Sequence, residues 1–262
     1  DDYAEALLAR RPAPRDDTAS VSSSTLASRI AKQFDLMGGA TTIDAGDASS
    51  LAAIEAAVDL LRTRTCDAVV CAAGQRNMNR LVYEGLARDG MLAAGSDVRA
   101  PFDSAAAGIV PGEGAGALVL KRLADAERDG DTVLAVIRGV AVSTDRNSAE
   151  RAIRDAGRKA LATAGIDQRQ VAVVDTNVAT REQSVALENA LIDVHDPTAR
   201  PHPLIFGSLT AQIGATEAAS GMASLLKCLA AFNRHSFPAT FGMQTPAASI
   251  ATPHRPAESA RR

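Results

Sequence analysis

Apolar residues recur at Leu51, Ile54, Val58 and Leu61, with Glu55, Asp59 and Arg62 between them. That spacing predicts an amphipathic helix that packs one face under a sheet. The residues before it, TTIDAGD at 41–47, read as a short β-like run and a Gly-containing turn, so residues 41–61 form a strand-turn-helix elbow. CDAVVCAAG (66–74) is a continuous apolar run closed by Gly74, which predicts a strand buried on both faces, most simply a parallel one. Residues 79–90 predict a helix, 98–103 a loop, and 112–131 a Gly-rich entry, a strand and a short helix. TVLAVIRGVAVSTD (132–145) is the most convincing strand pattern in the chain. An amphipathic helix follows over 148–165, ended by Gly165. VAVVDTNVA (171–179) predicts a buried strand, 181–194 a helix, and LIFGS (204–208) a short apolar strand. Residues 216–232 carry small side chains on several faces, as a helix buried on all sides does.

This β and α alternation assigns the α/β class with a mostly parallel sheet. Two elbow-and-buried-helix units, at 41–61 and 204–232, point to two related halves. Residues 9–24 are rich in Pro, Ser and charge and read as a surface loop, and 246–262 read as a frayed tail. The domain is therefore expected over 1–245, with a tail over 246–262. The chain starts at Asp1 rather than Met, in an acidic helix-like segment, as expected of a piece of a longer polypeptide.

Composition narrows the function. A net charge of −3, two Tyr, six Phe and no Trp offer neither a polybasic face nor stacking platforms, so nucleic acid is not an expected partner. No apolar run is long enough to span a membrane and the N-terminus is too polar for a secretory signal, so the expected address is cytoplasmic. Cys66, Cys71 and Cys228 lack metal-ligand spacing and sit in apolar surroundings, which predicts buried reduced thiols. His195, His202, His235 and His254 have no i, i+4 spacing, so solvated histidines are expected and neither metal nor cofactor is implied. GEGAG (112–116) precedes a strand and lacks a Lys-Ser/Thr ending, so it reads as a close-packing turn rather than a phosphate loop. Asp175 and Glu188 are candidates for a buried or helix-capping pair. Arg10, Arg11, Arg15, Arg255, Arg261 and Arg262 place positive charge near both ends, as a solvated surface.

Asp47 occupies the elbow, where the helix dipole acts on whatever group stands there. The dipole and the backbone N–H groups favour its charged form, which makes it a poor nucleophile or base. The expected role is an N-cap worth about 1 kcal/mol, accepting from the amides of Ser49 or Ser50.

Four segments occur in one order: IDAGDASSLAAI (43–54), PFDSAAAGIVPGEGAGALVLKRL (101–123), VDTNVATREQSVALENAL (174–191) and FGSLTAQIGATEAASGMASLLK (206–227). Together they resemble the β-ketoacyl synthases, the condensing enzymes of fatty acid and polyketide assembly, over residues 22–245. The resemblance implies a thiolase-like fold of two βαβ-type halves with central buried helices. The family's domain extends further on both sides, so the fold here is expected to be truncated at both ends. It also implies a chemistry in which an elbow cysteine takes an acyl chain from an acyl carrier protein. Two histidines then assist malonyl decarboxylation and stabilise the enolate.

At each reacting position the residues differ from that pattern. Asp47 stands at the nucleophile. Asn177 and Ala215 stand at the two histidines, and Thr210 at the supporting lysine. The framework residues Gly112, Glu113, Gly114, Gly116, Gly214, Glu217 and Gly221 still match. The expectation is a condensing domain without condensing residues, a non-elongating or chain-length-determining partner. It would pair with an active ketosynthase or with itself, through the segment before residue 41, and meet an acyl carrier protein. One alternative is an acyltransferase, decarboxylase or thioester hydrolase that uses Asp47. The other is a truncated fragment that does not fold alone.

Overall fold

The computed structural model of the chain describes residues 24–77, 79–93, 95, 98–194, 204–246 and 255–256. The chain divides into two compact units between Ile43 and Asp44. In the first, helix α1 (Ser24–Gln33) leads to an extended segment, and Leu26, Phe34 and Met37 are exposed. The 9–24 loop falls outside the described residues apart from Ser24, which starts α1.

The second unit carries the elbow helix α2 (Ser49–Arg62), strand β1 (Ala68–Gln75), α3 (Arg80–Arg88), β2 (Gly114–Lys121) and α4 (Leu123–Asp129). Then come α5 (Ala149–Ala164), a 3-10 turn (Gln168–Gln170), β3 (Val173–Thr176), α6 (Arg181–Val194) and β4 (Ile205–Ser208). A short α7 (Thr210–Ile213), a 3-10 turn (Glu217–Ala219), α8 (Ser220–Arg234) and β5 (Arg255–Pro256) complete it.

Local signals set most boundaries. Asn79 accepts the Leu81 N–H and caps α3, Ser148 accepts the Arg151 N–H and caps α5, and Gly165 closes α5 in the left-handed region at φ 61°.

Two apolar clusters form the interior. Ile54 of α2, Cys71 of β1 and Met222 of α8 are buried together, joined by Leu118, Leu120, Val140, Leu225 and Leu226. Phe102, Val178, Leu187, Leu204 and Phe206 form the other. Arg122 ties the first together from below: its guanidinium donates to the carbonyls of Leu61 (3.0 Å) and Cys66 (2.7 Å) and pairs with Asp67 and Asp125.

Several expectations are corrected. Residues 41–47 form no strand, only an Ala45–Asp47 bridge. β1 pairs with β2 antiparallel, not parallel, from Ala68 opposite Lys121 to Gln75 opposite Gly114. Its outer face is also open, with Val70 and its partner Val119 exposed while Cys71 is buried. Parallel pairing occurs instead in the order β3-β4-β5. Residues 132–145, for all their β pattern, join no ladder among the described residues. The helix expected over 216–232 is a 3-10 turn running into α8, buried at Ser220, Gly221 and Met222, with Phe232 exposed farther along. In the 246–262 stretch the described residues are Pro246, bridged to Asp103, and the two-residue β5.

Candidate functional site

The site forms where α2 and α8 touch at their N-terminal turns. Ser50 Oγ accepts the Met222 N–H at 3.1 Å. Gly221 permits this approach, since a Cβ there would lie 2.6 Å from Leu51 Cγ and 2.8 Å from Ser50 Oγ. Gly112 permits a second one, a Cβ there falling 2.1 Å from the Ile213 carbonyl oxygen. This is the close-packing role read for GEGAG.

The elbow is closed by its own side chains. Asp44 accepts the Gly46 N–H at 3.2 Å, and Ser49 Oγ accepts the Ala45 N–H at 2.9 Å while donating to the Gly46 carbonyl at 2.6 Å. Asp47 is exposed and does not cap α2, contrary to expectation. The residue at the cap is Ala48, in the right-handed helical region at φ −87°, ψ −2°, with no side-chain cap. An N-cap needs extended backbone so that its oxygen can turn back onto the first amides, and the tight 44–49 turn does not provide it.

Asn177 leaves the end of β3 and donates through Nδ2 to Ser220 Oγ at 2.7 Å, and Ser220 in turn donates to the Glu217 carbonyl at 2.5 Å. Ala215 is buried, and its backbone is held on both sides: its N–H donates to Val110 (2.8 Å), and its carbonyl accepts from Gly112 N (2.9 Å) and Asn77 Nδ2 (3.2 Å). Thr210 Oγ1 donates to the Val178 carbonyl at 2.5 Å and lies 2.9 Å from Ser208 Oγ.

Glu217 links these parts. Gln75 Nε2 donates to its Oε2 at 2.9 Å and to Asn77 Oδ1 at 2.8 Å. Its partial burial, and then the nearby Asp47 carboxylate, push its carboxyl above the usual range. The structure thus gathers Asp47, Asn177, Ser220 and Glu217, with Ala215 two residues from Glu217 and Thr210 against the loop after Asn177. Sequence reasoning did not single out Gln75 and Asn77 as part of this set. The available signal was a polar Gln-Arg-Asn run directly after the apolar β1 pattern.

Behind the site, Asp175 pairs with Lys227 at 2.6 Å, their side chains 2% and 8% exposed. The ammonium also lies 4.9 Å from the Phe237 ring centre. Lys227, not Glu188, is therefore the partner of Asp175; the Glu188 side chain lies outside the described residues. Asp175 Oδ2 has no hydrogen-bond partner among the described residues. Asp103 of the 98–103 loop, 1% exposed, accepts the N–H groups of Ala105 (2.9 Å), Gln244 (2.7 Å) and Thr245 (2.9 Å). Burial alone would raise its carboxyl, but those three amides and the Arg99 charge outweigh it and hold it below the usual carboxylate range.

Of the thiols, Cys71 is buried and Cys66 and Cys228 are half-buried, and none is in a disulfide. Burial pushes the Cys71 thiol up. Burial and then Asp175 push up Cys228, against Lys227. His235 ends α8 in the left-handed region, exposed; His195, His202 and His254 lie outside the described residues. So do Arg10, Arg11, Arg15, Arg261, Arg262 and the Arg255 side chain. Among the described residues no three His, Cys, Asp or Glu are grouped to hold a metal ion, and no helix is long and apolar enough to cross a membrane. A cleft of about 580 Å³ lined by Arg158, Leu161, Ile166 and Arg169 lies at the end of α5, lined by none of these residues.

The arrangement offers two carboxylates, an amide and hydroxyls between two helix N-termini. Asp47, Asn177, Ala215 and Thr210 present no thiol, imidazole or ammonium.

Comparison with known proteins places this architecture. One component of the phenolphthiocerol/phthiocerol polyketide synthase of Mycobacterium tuberculosis is 35% identical over 244 residues, covering 89% of this chain and 12% of that protein. The oxazolomycin ketosynthase domain OzmH KS7 of Streptomyces albus JA3453 superposes with a TM-score of 0.84 at 29% identity, over 97% of this chain and 45% of that one. A ketosynthase solved with its type II acyl-carrier protein, AntDE:AntF, shares the fold at a TM-score of 0.85 and 21% identity, over 94% of this chain and 62% of that one. The chain thus spans under half the length of OzmH KS7 and about an eighth of the mycobacterial synthase. The fold is the thiolase-like fold of the ketosynthases. The profile of the beta-ketoacyl synthase N-terminal domain matches residues 3–126 and that of the C-terminal domain residues 134–244, so the chain belongs to the beta-ketoacyl synthase family.

Proposed function

We propose that this chain is a ketosynthase-like domain that has lost condensation chemistry and serves as a non-elongating, structural or chain-length-determining partner in polyketide or fatty acid assembly. One observation supports the reading: α2 and α8 meet at their N-terminal turns, while the side chains expected at the reacting positions are spent on local structure or are inert. Asn177 is tied to Ser220, Thr210 to the Val178 carbonyl, and Ala215 offers only a methyl group. Nucleophilic catalysis needs an activated nucleophile with a base in reach, and oxyanion stabilisation needs donors aimed at the developing charge. Asp47 with these neighbours supplies neither.

In this reading the domain works in the cytoplasm, pairs with an active ketosynthase or with itself through the segment before residue 41, and meets an acyl carrier protein. Size-exclusion chromatography of the chain, alone and co-expressed with a cysteine-bearing ketosynthase, tests it. A complex is expected; a strictly monomeric chain indifferent to the synthase contradicts it.

A second reading has its own observation. Partial burial, and then the nearby Asp47 carboxylate, raise the Glu217 carboxyl above its usual range, and a raised carboxyl beside a second carboxylate is the raw material of acid-base chemistry. Such a pair would decarboxylate a malonyl thioester or hydrolyse an acyl thioester. Turnover of malonyl and acyl carrier thioesters that falls on Asp47→Asn would favour it, and equal background turnover in both proteins excludes it.

A further inference from the structure

We propose that the turn Glu217–Ala219 is a proton-operated latch that docks the start of α8 against the end of β1. Among the described residues four other than glycine stand at positive φ: Asp35, Arg64, Glu217 and His235. Asp35, Arg64 and His235 lie just past the ends of α1, α2 and α8, where left-handed closure of a helix is ordinary. Glu217, at φ 38°, instead opens a 3-10 turn that runs directly into α8. A residue with a side chain is kept in that region only by contacts that over-determine it. Here Gln75 Nε2 holds the Glu217 carboxyl at 2.9 Å, and Ser220 Oγ holds its carbonyl at 2.5 Å. Gln75 is anchored in turn on Asn77, whose Nδ2 donates to the Gly112 and Ala215 carbonyls at 2.9 and 3.2 Å. Thr216, Ala219 and Ser220 are buried beside the turn, and beyond it the Met222 N–H reaches Ser50 Oγ.

The elements packed on this turn are β1, β2, α2 and α8. The charged groups nearest to it along those elements are Asp44, Asp47 and Glu55 around the start of α2, Arg76 after β1, Glu113 before β2, and Lys227 of α8, itself paired with Asp175. Of these, Asp47 acts on Glu217, with the same sign, and among the described residues no cation offsets it. Partial burial and then Asp47 therefore favour the protonated carboxyl. A proton held more tightly in the docked turn stabilises docking fully below the ordinary glutamate value, about 4.3, and that contribution is lost as the pH rises through the raised one. The proton leaves to solvent, the charged carboxylate faces Asp47, and the strained turn relaxes. The inference rests on neither functional reading above.

Amide hydrogen exchange on the whole chain, corrected for the intrinsic pH dependence of exchange, tests the latch. Protection of the Gly221 and Met222 amides is expected to fall as the pH is raised above about 4, while that of α5 is unchanged. Glu217→Gln, a neutral side chain that still accepts from Gln75, is expected to keep that protection at every pH. Asp47→Asn, at an exposed position, is expected to move the loss to lower pH. Protection that is independent of pH in the parent chain overturns the proposal. So does a loss that persists in Glu217→Gln, one that Asp47→Asn leaves in place, or one that α5 shares.

Discussion

Asp103 and Asp175 show how differently two buried carboxylates can be held. Asp103 is satisfied by three amides, and its folded pKa is lowered. A lowered carboxylate contributes stability that is fully present above its unfolded pKa, about 3.9, and is lost as pH falls through the folded value. Asp103→Ala should therefore cost about 1–3 kcal/mol near neutral pH, from amides left without an acceptor. The gap from wild type should narrow in denaturant melts taken below about pH 4; a pH-independent gap contradicts the assignment. Asp175 depends on a single cation. Lys227→Ala strands a carboxylate that is 2% exposed, and should cost about 3–5 kcal/mol by urea unfolding. Replacing both partners by apolar residues should recover much of that loss, and a single variant as stable as wild type would show the pair to be dispensable.

Between elements, glycines decide how close the chain can pack. At Gly112 an added methyl meets backbone oxygen at 2.1 Å, which cannot move aside cheaply, whereas at Gly74 it meets only the Ala115 methyl at 3.5 Å. Gly112→Ala should destabilise by about 1–3 kcal/mol while Gly74→Ala stays near neutral; equal melting temperatures would contradict this packing. Local signals of this kind were the legible part of the sequence. Asn79, Ser148 and Gly165 mark helix ends that the structure reproduces, because a cap acts within a few residues. Strand pairing is not local. The alternation in 132–145 fixes a preference for extended backbone but not a partner, and the two-faced apolar pattern of β1 did not reveal an antiparallel neighbour some forty residues on. Asp47 was misplaced as a cap for a related reason: the turn conformation is set jointly by Asp44, Gly46 and Ser49.

For the whole molecule, the order of segments along the chain carried the family, and the family carried the fold. The two halves expected from the two elbow-and-helix units correspond to matched N-terminal and C-terminal ketosynthase domains. What motif order could not supply is the wiring of the altered site, where Gln75 and Asn77 reach Glu217 and the Ala215 carbonyl from a distant strand end. That wiring ties the end of β1 to the turn that leads into α8. The direct measurement is product formation: the chain is incubated with an acyl and a malonyl carrier thioester, and the elongated 3-oxoacyl thioester is quantified by mass spectrometry. Loss of condensation predicts background product, the same for the parent chain and for Asp47→Asn. Elongated product above background in the parent, abolished in Asp47→Asn, would contradict it.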